Sequence, residues 1–222
     1  VLVNNPGIMA IPRRETRGGV EMQIGVNHLG HFALTGHLLD ALRASDGTAR
    51  VVNVSSGAHQ AGDIRFEDLH WRKTYSKWGA YAQSKLANLL FTYELQRRLA
   101  AADDDIIATA AHPGYAATNL QTTGADMEGS ALKRKFMEFA NDLVAQSAEM
   151  GALPTLYAAT ARPVGGGDYI GPDGFMEMKG HPTKVDSNTK SQDRERARRL
   201  WELSQHETAI EFDLPTPSTA AA

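Results

Sequence analysis

The chain contains no cysteine, so neither a disulfide framework nor a thiolate metal site is available to it. This absence agrees with a reducing compartment. No apolar run approaches the roughly 18 residues of a membrane-spanning helix, and no secretory signal pattern is present. The formal net charge of −3 gives no reason to expect nucleic acid or an anionic membrane surface as a partner. These absences predict a cytoplasmic protein with no membrane span.

At 222 residues, with 42% apolar and 22% charged residues, the chain has the composition of one soluble globular domain. We predict a single domain over residues 1–214, followed by a disordered Pro/Ser/Thr/Ala tail at 215–222. The chain opens directly on VLVNNPG, an apolar strand-like run with no polar leader or capping residue before it. A buried strand is therefore expected at the first residue, as in a domain truncated at its N-terminus.

Strand-like and helix-like segments alternate along the chain. Apolar runs predict strands at 1–3, 50–54, 106–111 and 168–170, and helical periodicity predicts helices at 19–42, 80–99, 131–144, 148–161 and 195–203. Residues 63–79 predict a loop with at most a short helix. Strands that alternate with helices of this length indicate right-handed βαβ units. The predicted fold class is α/β, a doubly wound parallel sheet flanked by helices.

Polar and conformationally special residues follow each predicted strand. They are Asn4-Asn5, Ser55-Ser56, His112-Pro113-Gly114 and the turn Ile170-Gly171. In parallel sheets, ligands gather at the carboxyl ends of the strands. The sequence therefore predicts a cleft at this edge of the sheet.

The segment 51–85 contains the most distinctive side chains. It begins with VVNVSSGAH and ends with Tyr81-Ala-Gln-Ser-Lys85 at the start of a long helical pattern. Positions i and i+4 share a helix face, so the Tyr81 phenol is expected beside the Lys85 ammonium. A nearby positive charge favours phenolate, and lowering the pKa by about 3 corresponds to roughly 4 kcal/mol. Such a tyrosine would be a usable general acid or base, with a serine hydroxyl orienting the reacting oxygen.

Each of these features has a plainer explanation. A Tyr-x-x-x-Lys pair also arises by chance on solvated helix faces, so its weight comes from the motifs that accompany it. His28, His31 and His37 scatter around one helix without a carboxylate, which predicts packing or surface histidines and no metal site. Ser56 lacks the Gly-x-Ser-x-Gly elbow of hydrolases, so it is not expected to act as a nucleophile.

Taken together, the motifs resemble those of the short-chain dehydrogenase/reductase family, and most of all its retinol dehydrogenase and protochlorophyllide reductase-like branch. The resemblance covers residues 1–170. The matching motifs, in the family's order, are Asn4-Asn5-x-Gly7, Asn27 in VNHLGHF, VNVSS, Tyr81-x-x-x-Lys85 with SKLANLLF, and Pro113-Gly114 with Thr118. The resemblance implies a Rossmann-like fold that transfers a hydride between a nicotinamide cofactor, NADP or NAD, and a small-molecule carbonyl or alcohol.

The resemblance also implies a role for each matching residue. Tyr81 would exchange a proton with the substrate oxygen, and Lys85 would lower the pKa of Tyr81 and bind the nicotinamide ribose. Ser56 would hold the substrate oxygen. Asn27 would support a water that leads protons to Lys85, although it could instead bond a local backbone group. The implied catalytic residues are therefore Asn27, Ser56, Tyr81 and Lys85.

Ser56 is preferred to Ser55 because neighbouring residues of a strand point in opposite directions. Ser55 is then expected to be a buried hydroxyl that bonds to the main chain. The Pro113-Gly114 pair could border the nicotinamide or could be only a turn. The residues implied to contact the cofactor are Asn4, Gly7, Tyr81, Lys85, Pro113, Gly114 and Thr118.

Two features depart from the family's pattern. Pro6 stands where the family most often has alanine, which removes a backbone donor and would alter the cofactor contact at this turn. A Gly-rich phosphate loop is absent, because no Gly-x-Gly-x-x-Gly precedes the Asn-Asn turn and the lone run Gly165–Gly167 does not replace it. The family's missing units would also select NAD or NADP, so the motifs do not distinguish these cofactors. Residues 1–3 would then form an unpaired apolar edge, which favours association, for example as a homo-oligomer.

The sequence thus predicts an enzyme by family, an NAD(P)-dependent oxidoreductase with Tyr81 as its general acid/base. The alternative is a non-catalytic remnant that lacks the phosphate loop and acts through association by its helices at 19–42 and 80–99. The substrate is not identified, because the segment between Thr118 and Val144 carries no motif.

Overall fold

A computed structural model of the chain describes residues 1–114 and 147–217. Within these ranges, five strands form one sheet in the order β1-β2-β3-β4-β5. The strands are β1 (Leu2–Asn4), β2 (Ala49–Val54), β3 (Ile106–Ala111), β4 (Tyr169–Pro172) and β5 (Pro182–Lys184). Strands β1 to β4 are parallel. The predicted parallel sheet is therefore confirmed, and its four predicted strands lie close to their expected positions.

The strand β5 has no counterpart in the sequence prediction and runs antiparallel to β4. Residues 173–181 connect the two strands, a link too short for the crossover that a parallel pair needs. Main-chain bonds from Asp173 N to His181 O and from Gly174 N to Lys179 O, both 2.9 Å, close this hairpin. The run Pro-Thr-Lys of β5 lacks apolar alternation, so its periodicity does not indicate a strand.

The helices alternate with the parallel strands, as expected for βαβ units. They are α1 (Met22–Ile24), α2 (Gly30–Arg43), α3 (Lys77–Ala101), α4 (Ala148–Thr160) and α5 (Arg194–Thr208). A π-helical turn, Gly25–Leu29, joins α1 to α2, so the helix predicted at 19–42 contains one wider turn. The helix α3 begins before the predicted Ala80, because the Ser76 hydroxyl accepts from Gly79 N at 3.2 Å and caps its first turn.

Helices cover both faces of the sheet. Consecutive residues of β2 point to opposite faces, so Val51 and Val52 enter different core clusters. Val51 packs with residues of α2, α3 and α5. Val52 packs with Ala158 and Ala159 of α4. The predicted doubly wound arrangement is thereby confirmed for the described residues.

Four aromatic side chains form the centre of the larger core cluster. Phe32 of α2, Phe91 of α3, Trp201 of α5 and Phe212 of the following segment have ring centroids 4.7–6.4 Å apart. The Arg98 guanidinium lies 4.4 Å from the centroid of Trp201. Aromatic pairs at such distances add about 0.5–1.5 kcal/mol beyond their burial. The cluster therefore joins segments from the early, middle and late parts of the chain.

Several predictions fall outside the described ranges. They concern the helix at 131–144, the cofactor contact of Thr118 and the end of the tail at 218–222. Residues 215–217 have no regular secondary structure. No helix in the two described ranges is both long and apolar enough to cross a bilayer.

Candidate active site

The two serines that follow β2 have different environments. Ser55 is still part of the sheet ladder, because its N–H donates to Ala111 O at 2.7 Å. Its hydroxyl donates to the main-chain oxygen of Lys85 at 2.8 Å and is buried. This confirms the prediction that Ser55 is a buried hydroxyl that bonds to the main chain. Ser56 lies one residue beyond the ladder, at the carboxyl edge of the sheet.

The hydroxyl of Ser56 caps a short 3-10 turn, Gly57–Ala61, by accepting from Ala58 N at 3.2 Å. A serine hydroxyl has one proton and two lone pairs. Because one lone pair is occupied by Ala58, the proton remains available for donation to another oxygen. The local fold therefore presents Ser56 as a hydrogen-bond donor at this edge.

Tyr81 and Lys85 lie one turn apart on α3 and are 4% and 3% exposed. The Lys85 ammonium is 5.7 Å from the centroid of the Tyr81 ring. Ser56 lies close enough to the Tyr81 hydroxyl to lower the pKa of the phenol. The structure thus brings together the phenol, the ammonium and Ser56, and it shields Tyr81 and Lys85 from bulk solvent while Ser56 stays partly exposed.

The expected direction of the Tyr81 pKa is wrong. Burial raises the pKa of Tyr81 above its ordinary value, and the nearby Ser56 side chain lowers it by less. Burial also lowers the pKa of Lys85 to about 8. Desolvation disfavours the charged form of each group, and an i,i+4 spacing alone does not reveal how completely the two groups are buried. Tyr81 is consequently a protonated phenol at neutral pH.

Lys85 is held against the end of β2. Its Nζ donates to Val54 O at 3.1 Å, and Asn88 Nδ2 donates to the same oxygen at 3.0 Å. The turn after β1 approaches from the other side. A Cβ on Gly7 would lie 3.7 Å from Lys85 Nζ and 3.3 Å from Asn27 Oδ1. The ammonium therefore lies between β2 and a turn that has no side chain at its nearest point.

The side chain of Asn27 is engaged by the backbone of Ile8. Its Oδ1 accepts from Ile8 N and its Nδ2 donates to Ile8 O, both at 2.8 Å. Nδ2 also donates to Ser84 Oγ at 2.9 Å. Asn27 lies in the π-helical turn Gly25–Leu29 and is fully buried. The backbone group that Asn27 bonds is not local, since Ile8 lies 19 residues away in sequence. These contacts tie the turn after β1 to α3.

Asn4 belongs to a buried row of amides and hydroxyls that links β1, β2 and the helices. Its Nδ2 donates to Asn53 Oδ1 at 2.8 Å and to Thr35 Oγ1 at 3.0 Å. Asn53 Nδ2 in turn donates to Thr92 Oγ1 at 2.9 Å. The side chain of Asn4 is fully buried. The side chain of Asn4 therefore holds β1 against β2 and α2.

Gly114 has a left-handed backbone with φ of 65°, which favours glycine. A Cβ there would lie 2.5 Å from Met178 O and 3.0 Å from Glu177 O, so the β4–β5 hairpin presses against this turn. His112 meets the same hairpin, with its Nε2 3.0 Å from Glu177 Oε2. Pro113 and Gly114 thus lie at the carboxyl edge of β3, where the sequence predicts them.

Several residues near Ser56 are not anticipated by the sequence analysis. His59 contacts the Ser56 carbonyl through Nδ1 at 2.8 Å. Tyr169 lies between the rings of His59 and His112, with centroids 5.7 and 5.1 Å away. Trp78 is 53% exposed, and its ring meets Tyr81 edge-on at 6.3 Å. For His59 and Trp78, the three-residue spacing from Ser56 and Tyr81 is a signal that could have found them.

The described residues fit the nicotinamide end of a dinucleotide better than its phosphates. Lys85 has three ammonium hydrogens and donates one of them to Val54 O, and the backbone at Gly7 leaves room beside it. The run Gly165–Gly167 leads into the amino end of β4, where Gly167 N donates to Ala108 O at 2.8 Å. It is therefore at the opposite edge of the sheet and does not act as a phosphate loop.

Comparison with known proteins identifies the family. Residues 1–129 match the family described as short chain dehydrogenase. The chain is 41% identical to human retinol dehydrogenase 13 over 95% of its own length, and 41% identical to mouse polyprenol dehydrogenase over 90%. It spans 61% and 57% of the lengths of these curated relatives.

A similar crystal structure supports the same assignment. It belongs to an uncharacterized protein from Mycobacterium paratuberculosis that is 47% identical to this chain. The superposition covers 96% of this chain and 68% of that one, with a TM-score of 0.76. The sheet, the Ser56–Tyr81–Lys85 arrangement and these matches lead to one conclusion: the chain belongs to the short-chain dehydrogenase family.

Proposed function

We propose that this protein is an NAD(P)-dependent oxidoreductase that interconverts an alcohol and a carbonyl compound, with Tyr81 as the general acid/base. One observation carries the proposal. Tyr81 and Lys85 are buried beside Ser56 at the carboxyl edge of β2, where Ser56 lowers the pKa of the phenol and the ammonium lies 5.7 Å from the ring centroid. Members of the short-chain dehydrogenase family use NAD or NADP, and the preference of this chain is open.

In the direction of carbonyl reduction, the substrate oxygen accepts hydrogen bonds from Ser56 and Tyr81. A bound nicotinamide supplies the hydride that the carbonyl carbon takes up. As negative charge develops on the oxygen, the Tyr81 O–H bond breaks and its proton moves to that oxygen. The Lys85 ammonium stabilises the resulting phenolate, and alcohol oxidation is the reverse. Because Tyr81 is protonated at neutral pH, the free protein is poised for the reductive direction.

The remaining predicted site residues have supporting roles in this proposal. Lys85, Pro113 and Gly114 would hold the nicotinamide end of the cofactor, and Asn4 and Gly7 would lie along its adenosine side. Thr118 is proposed on the family motif alone, since it lies outside the described residues. Asn27 holds the turn after β1 in place through Ile8, and its link to a proton-conducting water remains a proposal.

The relatives suggest which substrates to test first. Two of them are named as dehydrogenases of retinol and of polyprenol. Both names denote isoprenoid alcohols with a hydroxyl at the end of an apolar chain. We propose that this chain acts on an alcohol or aldehyde of the same class, and we take retinal as the first probe.

Replacing Tyr81 by phenylalanine tests the mechanism. We expect Tyr81→Phe to lower retinal reduction by at least about 100-fold, because the proton donor is lost. Binding of NADH and NADPH, titrated by fluorescence, should change little. Tyr93→Phe is the matched control, since Tyr93 is also on α3 but its hydroxyl bonds Ser187 at 2.8 Å. Turnover retained in Tyr81→Phe would remove Tyr81 from the mechanism.

A second candidate function is non-catalytic association. It is favoured by β1, an edge strand of the described sheet, because its Val3 is 37% exposed and the preceding Val1 is 70% exposed. The same fluorescence titration discriminates the two candidates. Micromolar binding of NADH or NADPH would rule out the non-catalytic candidate, and no binding at millimolar cofactor would rule out activity of this chain.

A further inference from the structure

The position of Ser56 depends on the turn that follows it. The last ladder bond of this strand is made by Ser55, so the sheet itself does not hold Ser56. The residues that do hold it belong to the turn Gly57–Ala61. One bond goes to its hydroxyl, from Ala58 N at 3.2 Å. Its carbonyl is held by a different residue.

His59 donates two hydrogen bonds to the Ser56 carbonyl. The main-chain N–H lies 3.0 Å from this oxygen, and the ring Nδ1 lies 2.8 Å from it. A carbonyl oxygen only accepts, so Nδ1 carries the ring proton and Nε2 carries the lone pair. These two hydrogen bonds fix the peptide plane after Ser56, and with it the direction of the Ser56 side chain.

The ring of His59 is itself held from several sides. It is 1% exposed, and Tyr169 meets it edge-on at 5.7 Å and 85°. Asn188 Nδ2 donates to His59 O at 3.0 Å from the segment that follows β5. Within the described residues, no group bonds Nε2. The buried ring of His59 therefore holds the Ser56 carbonyl in place.

The turn Gly57–Ala61 also sets the distance between Ser56 and Tyr81. Gly62, directly after the turn, packs so closely on α3 that an added Cβ would lie 2.6 Å from Ala82 O. Ala82 is the neighbour of Tyr81. The turn is thus seated on α3 beside the phenol, while His59 orients Ser56 toward it.

We propose that His59 is a positioning residue, which holds Ser56 in hydrogen-bonding geometry with Tyr81 and with the substrate oxygen. This inference rests on the proposed function for its catalytic consequence, but not for its structural one. His59 does not contact the reacting atoms. Its effect passes through the carbonyl and then the hydroxyl of Ser56.

The structural consequence is measurable as the ionisation of Tyr81. A donor that bonds phenolate lowers the pKa of a phenol, and Ser56 lowers the pKa of Tyr81. We expect His59→Phe, which keeps a ring against Tyr169 but removes the Nδ1 donor, to raise the pKa of Tyr81 by about 1. The measurement is an NMR titration of ring-labelled tyrosine, with the Tyr81 signal assigned by Tyr81→Phe.

Three further variants make the titration decisive. Ser56→Ala removes the donor and marks the largest expected rise. His59→Asn, whose amide can still donate to the Ser56 carbonyl, should restore the wild-type pKa. Asn188→Ala removes the hydrogen bond to the His59 carbonyl and should give a smaller rise in the pKa of Tyr81. If His59→Phe does not fold, as judged by near-UV circular dichroism, the pair His59→Asn and Asn188→Ala decides the question.

An unchanged pKa of Tyr81 in His59→Phe or, where that variant does not fold, in Asn188→Ala would overturn the inference. Because this titration does not require catalytic turnover, it tests the structural part of the inference even if the proposed oxidoreductase function is wrong. In a chain with turnover, His59→Phe should also lower kcat by about 10- to 100-fold through misplacement of Ser56, with the KM for cofactor nearly unchanged. His59→Asn should recover most of that loss.

Discussion

Lys85 shows how burial sets the chemistry of a single residue. Its side chain is 3% exposed, and its ammonium donates to Val54 O. Burial lowers its pKa to about 8 from an ordinary 10.5. The folded protein therefore binds this proton less tightly than the unfolded chain does. Below pH 8, Lys85 is protonated in both the folded and the unfolded state. Burial of its charge then lowers the free energy of unfolding by the full amount.

This cost should be visible in the pH dependence of stability. The unfolded chain binds more protons than the folded one between about pH 8 and 10.5, so the free energy of unfolding should rise with pH in that window. We expect wild type to gain roughly 2 kcal/mol relative to Lys85→Met between pH 7 and 9.5. Urea denaturation at the two pH values measures the difference, and parallel changes in both proteins would contradict it.

At the residue scale, local rules predict which residues meet at the site better than they predict the pKa values of those residues. The approach of Tyr81 to Lys85 follows from helix spacing, and the choice of Ser56 over Ser55 follows from strand alternation. The partners of Asn4 and Asn27 are distant in sequence, so no local rule identifies them. The direction of the Tyr81 pKa depends on how completely α3 is buried, which only the packing reveals.

The helix α3 is unusual among the elements because residues 80–95 are buried without interruption. Such a stretch has no solvent-exposed face and is enclosed on all sides by the described residues. The helix α5 and the turn Gly57–Ala61 provide much of this enclosure. Association through the middle of α3, one form of the sequence-based alternative, therefore has no exposed face, whereas α2 keeps Leu34 and Leu38 partly exposed.

The seating of the turn on α3 gives a prediction with a matched control. A Cβ at Gly62 would lie 2.6 Å from the backbone oxygen of Ala82 and 3.0 Å from Leu86 Cβ, so the turn must shift. We expect Gly62→Ala to cost about 1–3 kcal/mol of stability and to lower activity more than stability alone explains. Gly57→Ala is the control, because a Cβ there meets nothing within 4 Å.

Chemical denaturation of the two variants, followed by turnover at saturating substrate, separates these effects. Equal stability of Gly62→Ala and Gly57→Ala would show that the turn is not seated as described. At this scale the sequence does not predict the turn, because five residues are too few for a periodic pattern. It predicts α3 well because the helical pattern is long.

Across the whole molecule, buried neutral histidines limit stability in acid. Burial lowers the pKa of His28 to about 3, and those of His31 and His112 to about 4. Their ordinary value is 6.5, so the unfolded chain takes up these protons first as pH falls. The stabilisation by the neutral rings is complete above pH 6.5 and is lost progressively below it. We therefore expect unfolding in mild acid.

The contribution of a single buried histidine to the pH dependence of stability can be tested at His28. Its Nε2 lies 2.8 Å from Ser204 Oγ in the core. Between about pH 4 and 6, His28→Gln should reduce the slope of unfolding free energy against pH by about 1.4 kcal/mol per pH unit, since one titrating group is gone. His37→Gln, at an exposed position, is the matched control. An unchanged slope in His28→Gln would show that His28 is not protonated on unfolding.

The sequence predicts the architecture of the whole molecule more completely than its details. Alternating strands and helices specify a parallel sheet covered on both faces, because each apolar run needs a partner layer. The antiparallel β5 is not predicted, since its three residues are held by a hairpin connection and not by their own pattern. The joining of Phe32 to Phe212 is also beyond local rules, because it depends on packing across nearly the full chain.

That aromatic cluster has a consequence for synthesis. Phe32 and Phe91 leave the ribosome long before Trp201 and Phe212, yet the four rings pack against one another. Early-emerging elements of a nascent chain can begin to fold at once, but here the apolar surface of α2 and α3 stays uncovered until the last helix arrives. The aromatic cluster of Phe32 and Phe91 is therefore completed only after Trp201 and Phe212 have been synthesised.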